Sequence, residues 1–83
     1  MTMTIDIQFF ALAKELAGTE QMTIPLPESG QVGDLRRALG EAVPALIPIL
    51  PHLLFALGDS CVDDATSLYP GARVVTFPPV SGG

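Results

Sequence analysis

The sequence predicts an α+β domain in which a mixed β-sheet packs against one main helix. Three observations predict it: strand-like runs near both ends of the chain, a single long stretch of helical periodicity between them, and turn residues separating the pieces. Eighty-three residues make one domain and leave no room for a second. A chain of this size hides only about 60–65 % of the surface its unfolded form exposes, so the core is small.

Each element has its own signal. From Thr4 to Phe9, Ile5, Ile7 and Phe9 point one way while Thr4, Asp6 and Gln8 point the other, the period of a half-buried strand. Phe10 then falls on the polar face, where it is either a local packing residue or part of an exposed apolar patch. Leu12 to Ala17 holds good helix formers, with Gly18 as an αL stop. Glu20 to Leu26 alternates again, and Pro25 and Pro27 mark it as an edge strand. Val32, Leu35, Leu39 and Ala42 recur at three- and four-residue steps, so Gln31 to Val43 is the main amphipathic helix. Ser29 is a candidate N-cap, Asp34 favours the first turn, and Pro44 closes the helix. Leu53 to Leu57 reads as a short strand, Gly58-Asp59 as a turn, and Ser60 to Val62 as a second short strand. Pro70-Gly71 is another turn, and Arg73 to Phe77 is the last strand. With one helix to cover the sheet, the first and last strands lie parallel in its centre, which is the β-grasp arrangement.

Composition narrows the function. Four Lys plus Arg against nine Asp plus Glu give a net charge of -5, which repels phosphate backbones and anionic lipid surfaces, so nucleic acid and membrane are poor partners. Ala42 to Leu57 is strongly apolar, but it is too short for a membrane span and is interrupted by Pro44, Pro48 and Pro51. The single cysteine, Cys61, has no partner for a disulfide, and the amino-terminal residues lack the pattern of a signal or transit peptide. A cytoplasmic protein is expected. The sequence contains no glycine-rich phosphate loop, no metal-ligand set and no catalytic triad. Cys61 reads as a small core residue, His52 as a packed or surface histidine, and Asp63-Asp64 as a solvated turn.

The most informative segment is the last. After Phe77 the chain reads Pro78-Pro79-Val80-Ser81-Gly82-Gly83. Two prolines donate no hydrogen bonds and favour an extended path, so residues 1–77 form the folded domain and 78–83 a tail. Six residues reach at most about 20 Å, enough to thread a narrow channel in another protein. Glycines without a Cβ let a nucleotide phosphate or an attacking sulfur approach a terminal carboxylate closely. With this glycine content, chance puts a diglycine at the end of about one chain in a hundred.

Phe9-Phe10-Ala11, Lys14-Glu15-Leu16-Ala17-Gly18, the helical Val32 and Leu35, and above all Phe77-Pro78-Pro79-Val80-Ser81-Gly82-Gly83 carry a resemblance. Along its whole length the chain resembles the small subunits of molybdopterin synthase, the MoaD-type β-grasp sulfur carriers. The resemblance implies that Gly83 is adenylated and then thiocarboxylated, with Gly82, Ser81 and Val80 threading the tail into the partner. It implies a non-catalytic, sulfur-donating subunit of a transferase that serves molybdenum cofactor biosynthesis, its sulfur going to cyclic pyranopterin monophosphate. The implied partners are the large synthase subunit, in a heterotetramer, an adenylating enzyme related to ubiquitin-activating enzymes, and a sulfur-donating protein. No cofactor is stably bound and no metal is held; ATP is used by the activating enzyme. Phe10, Val75 and Phe77 become candidates for a partner-facing sheet surface, against ordinary core or edge packing. Lys14 becomes a candidate to pair with a partner carboxylate, against simple solvation. Ala72-Arg73, Gly58 and Thr76 depart from the family's usual acidic pair, asparagine and aromatic residue. Alternative readings are a carrier for another pathway such as thiamine, a ubiquitin-like modifier, and a β-grasp binding module with an inert tail.

Overall fold

Alternation in the first strand sorts its side chains to two faces. In the computed structural model, which describes residues 1–79, Met3, Ile5, Ile7 and Phe9 are all buried and the residues between them exposed. This strand, β1 (Thr2–Phe9), begins two residues before the expected start. It pairs antiparallel with β2 (Gln21–Pro27), from Thr2 opposite Pro27 to Gln8 opposite Gln21. The short helix α1 (Leu12–Ala17) joins them and stops at Gly18, whose φ of 74° lets its N–H donate to the Lys14 carbonyl.

The main helix, α2 (Val32–Ala42), is capped differently from the expectation. Ser29 belongs to the turn after β2, and the N-cap is Gln31, in extended backbone, whose N–H donates to the Asp34 carboxylate at 2.8 Å. Asp34 thus both caps and complements the dipole. Val32, Leu35 and Leu39 are buried as the periodicity predicts, but Ala42 is exposed. The helix ends there, and Val43 turns inward in its place.

The apolar stretch after Pro44 forms two 3₁₀ turns, Pro44–Leu46 and Leu50–His52, and leads into β3 (Leu54–Leu57). A turn at Gly58 (φ 59°) gives β4 (Ser60–Val62), and β5 (Arg73–Phe77) is the last strand among the described residues. The sheet order is β2-β1-β5-β3-β4, with β5 parallel to β1 and antiparallel to β3. Its edge position lets β2 tolerate two prolines. This is the β-grasp arrangement, with α2 on one face of the sheet and the other face open.

Arg36 joins elements that the sequence does not connect. Its Nη1 donates to the carbonyls of Leu50 (2.6 Å) and Leu53 (2.9 Å), while Nε and Nη2 donate to the Asp64 carboxylate at 3.1 and 2.7 Å. The guanidinium also lies over the Phe55 ring, 4.8 Å from its centroid. One side chain of α2 thereby holds the 3₁₀ segment, β3 and the loop after β4. The acidic pair is therefore not simply solvated: Asp64 grips Arg36, and Asp63 accepts from the Ala65 N–H and the Thr66 hydroxyl.

The turn from β1 into α1 places Ala11 at φ 56°, ψ −134°, a region open chiefly to glycine. Ala11→Gly is expected to raise stability by about 1 kcal/mol, seen as a higher urea midpoint at unchanged slope. An unchanged or lower midpoint would show that this backbone carries no strain.

Candidate functional site

In β5 the inward residues Val74 and Thr76 are buried, so Arg73, Val75 and Phe77 share the open face. Arg73 is exposed, while Val75 and Phe77 are half-buried. Register sets Phe77 opposite Leu54 and Val75 opposite Ala56 on β3, and Cys61 of β4 opposite Ala56 on its other side. These residues make an apolar band across three strands. Cys61 is consequently exposed rather than a core residue, because Val62 takes the inward position opposite Phe55. Thr76 is buried without loss, since its hydroxyl donates to the Leu54 carbonyl at 3.0 Å.

Phe10 follows β1 directly, and its N–H donates to the Thr76 carbonyl at 3.1 Å, which holds it at the end of β5. It is 45 % exposed, and Leu54 is 42 % exposed, too much for core residues. Phe10, Val75 and Phe77 therefore lie on or beside one open surface, next to the point where Pro78 and Pro79 leave β5. Val80, Ser81, Gly82 and Gly83 lie outside the described residues. Lys14 is not part of the band: its Nζ pairs with Glu20 at 2.8 Å on the surface, and this hydrogen bond holds the Glu20 carboxyl below its ordinary range. Leu54 was hidden in the sequence because Leu53–Leu57 is almost uniformly apolar and carries no alternation.

On the other half of the open face, a groove of about 400 Å³ crosses β2, β1 and β5. Asp6, Gln8, Gln21, Thr23, Arg73 and Val75 line it, and the Thr23 hydroxyl donates to Asp6 at 3.4 Å. The open face thus has an apolar half near the tail and a polar half away from it, the pattern of an interface core with a polar rim. Among the described residues no cluster of His, Cys, Asp or Glu could hold a metal ion, and no helix is long and apolar enough to cross a membrane.

Residues 7–83 match the model of the ThiS family. The chain belongs to this family. A relative named molybdopterin synthase sulfur carrier subunit, from Chlamydomonas reinhardtii, is 34 % identical over 83 residues, covering 98 % of this ThiS-family chain and 100 % of its own length. Among solved structures, SAMP1 of Haloferax volcanii is similar at 26 % identity and a TM-score of 0.84, with 96 % of this chain and 99 % of that one covered. A complex of subunits 1 and 2 of molybdopterin-converting factor from Helicobacter pylori contains a similar chain, at 27 % identity and a TM-score of 0.67, covering 98 % and 100 %. The ubiquitin-like β-grasp fold of the ThiS-family chain is shared by these neighbours.

Proposed function

We propose that this ThiS-family chain is a sulfur carrier of molybdenum cofactor biosynthesis, the small subunit of a molybdopterin synthase. The observation that carries the reading is the placement of Phe77-Pro78-Pro79: the chain leaves a central strand stiffly, beside an apolar open face where a partner can sit. The name of the Chlamydomonas relative and the two-subunit Helicobacter complex support the pathway and the large-subunit partner.

The chemistry assigned to Gly83 follows from the inertness of a free carboxylate. Its oxygen attacks the α-phosphorus of ATP on an adenylating enzyme, pyrophosphate leaves, and an acyl-adenylate forms. Sulfide-level sulfur from a sulfur-donating protein attacks the acyl carbon, the C–O bond to AMP breaks and AMP leaves, giving the thiocarboxylate that the large subunit uses on cyclic pyranopterin monophosphate. Gly82 leaves room at the reacting carbon, and Ser81 and Val80 span the distance from Pro79. The carrier itself positions and delivers, and the catalytic site for sulfur insertion lies in the large subunit.

Weighing the intact protein isolated from cells tests the proposal. A fraction with one oxygen replaced by sulfur is expected; a ladder of lysine conjugates would instead identify a modifier, and neither species would leave only a binding module. The apolar band supplies a second expectation. Phe77→Ala should weaken association with the large subunit by about tenfold or more while circular dichroism stays native, because truncating a central aromatic contact costs on the order of 1–2 kcal/mol or more. Unchanged affinity would remove the band from the interface.

A further inference from the structure

Three of the four Lys and Arg side chains are ion-paired within the chain: Lys14 with Glu20, Arg36 with Asp64, and Arg37 with Asp34. Arg73 is the exception among the described residues, although the chain carries nine Asp and Glu. Its register neighbour on β1 is Asp6, but that carboxylate accepts the Thr23 hydroxyl from β2, on the side away from β5. Arg73 is exposed, lines the groove, and stands two residues before Val75 on the same face.

A partner that covers the apolar band also dries the neighbouring groove. A guanidinium stripped of water without an acceptor opposes docking, whereas a planar carboxylate can match its donor fork. We infer that the large subunit lays an acidic segment into this groove, with an Asp or Glu carboxylate on Arg73, and that this pair sets the register and selectivity of docking. The inference rests on the carrier reading, since that reading supplies the partner. Apolar contact through Val75 and Phe77 provides affinity that tolerates sliding; a single charge pair at one end removes that freedom.

Calorimetric titration of the purified large subunit with wild type, Arg73→Glu, Arg73→Gln, Asp6→Asn and Phe77→Ala, at two salt concentrations, tests it. Arg73→Glu is expected to weaken binding about 10- to 100-fold with native circular dichroism, Arg73→Gln less and with a flatter salt dependence, and Asp6→Asn to tighten it, because a like charge leaves the groove that takes the acidic segment. Exchanging the facing acidic residue for lysine in the large subunit should restore binding to Arg73→Glu. Wild-type affinity in Arg73→Glu beside a weakened Phe77→Ala overturns the inference and leaves the carrier reading standing. Equal losses in Asp6→Asn and Arg73→Glu also overturn it, because Asp6 is then the acceptor. A wild type that neither binds the large subunit nor acquires sulfur overturns the carrier reading, and this inference with it.

Discussion

Deleting Gly83, or adding one residue after it, is expected to abolish adenylation while leaving the fold intact. Glycine has no side chain to take from a core, and the last fully buried side chain among the described residues is Thr76. It does move the carboxylate by about 3.3–3.8 Å, one residue's span, and a displacement near 1 Å already costs about a hundredfold in a positioned reaction. ATP–pyrophosphate exchange with the activating enzyme should fall by well over a hundredfold, with unchanged circular dichroism and thermal unfolding. Normal exchange by either variant would refute the assignment of Gly83 as the reacting residue. Docking and chemistry should also separate. Holding any four-residue segment in one backbone conformation costs about 4–8 kcal/mol, and two glycines offer little side chain to offset it. Burying about 400 Å² of apolar sheet surface gives a gross gain on the order of 10 kcal/mol, before association costs. The body lacking Gly82-Gly83 should therefore still bind and inhibit the intact carrier, and a peptide of the last six residues should not compete. A peptide binding as tightly as the whole protein would place the affinity in the tail.

Arg36→Ala should be severely damaging to the folded body. It would release two carbonyls, the Asp64 carboxylate and one face of Phe55 together. Hydrogen bonds from a charged donor contribute more than neutral ones, and Arg36 is largely shielded while Asp64 is about half exposed, so the expected loss is about 3 kcal/mol. In a domain of this size that is a large share of total stability and on the order of 15 °C in Tm. Arg36→Lys should recover little, because an ammonium cannot reproduce the planar fork. The effect has a pH signature. The Arg36 hydrogen bond holds the Asp64 carboxyl below its ordinary range, so its stabilisation is present above the carboxylate's unfolded pKa and disappears as pH falls through the folded one. The stability gap between wild type and Asp64→Asn in urea should accordingly be widest near neutrality and close in acid. A constant gap would mean that the pair is not charge-assisted.

The elements themselves were legible because their signals are local. Ile5, Ile7 and Phe9 state a period of two, Val32, Leu35 and Leu39 a helical stripe, and Gly18 a stop, and each holds in the structure. The central parallel pairing followed from having a single helix to cover the sheet. What stayed hidden depends on contacts far apart in the chain. Asp64 looks like any loop acid until the fold brings it to Arg36, 28 residues earlier. Leu54 sits in a nearly uniform apolar run and Cys61 in a strand of three residues, too short to show an alternation, and only the register of β3 against β4 and β5 assigns their faces. Ser29 was a reasonable cap by residue type, but the turn closed by the Gly30 N–H on the Pro27 carbonyl delays the helix until Gln31 supplies the extended geometry. Of the candidate site, the open-face aromatics could be listed from sequence, while Arg73's lack of an ion-pair partner among the described residues could not.

Placing β5 between β1 and β3 also has a mechanical consequence. Tension applied beyond Pro79 runs along the strand axis, and both neighbours are bonded to β5 from Arg73 or Val74 to Thr76 or Phe77. Sliding the strand out would shear two hydrogen-bonded ladders at once, whereas a strand at the edge of the sheet has only one ladder to hold it. A load on the end of this chain therefore meets two ladders acting together before the body can be drawn apart.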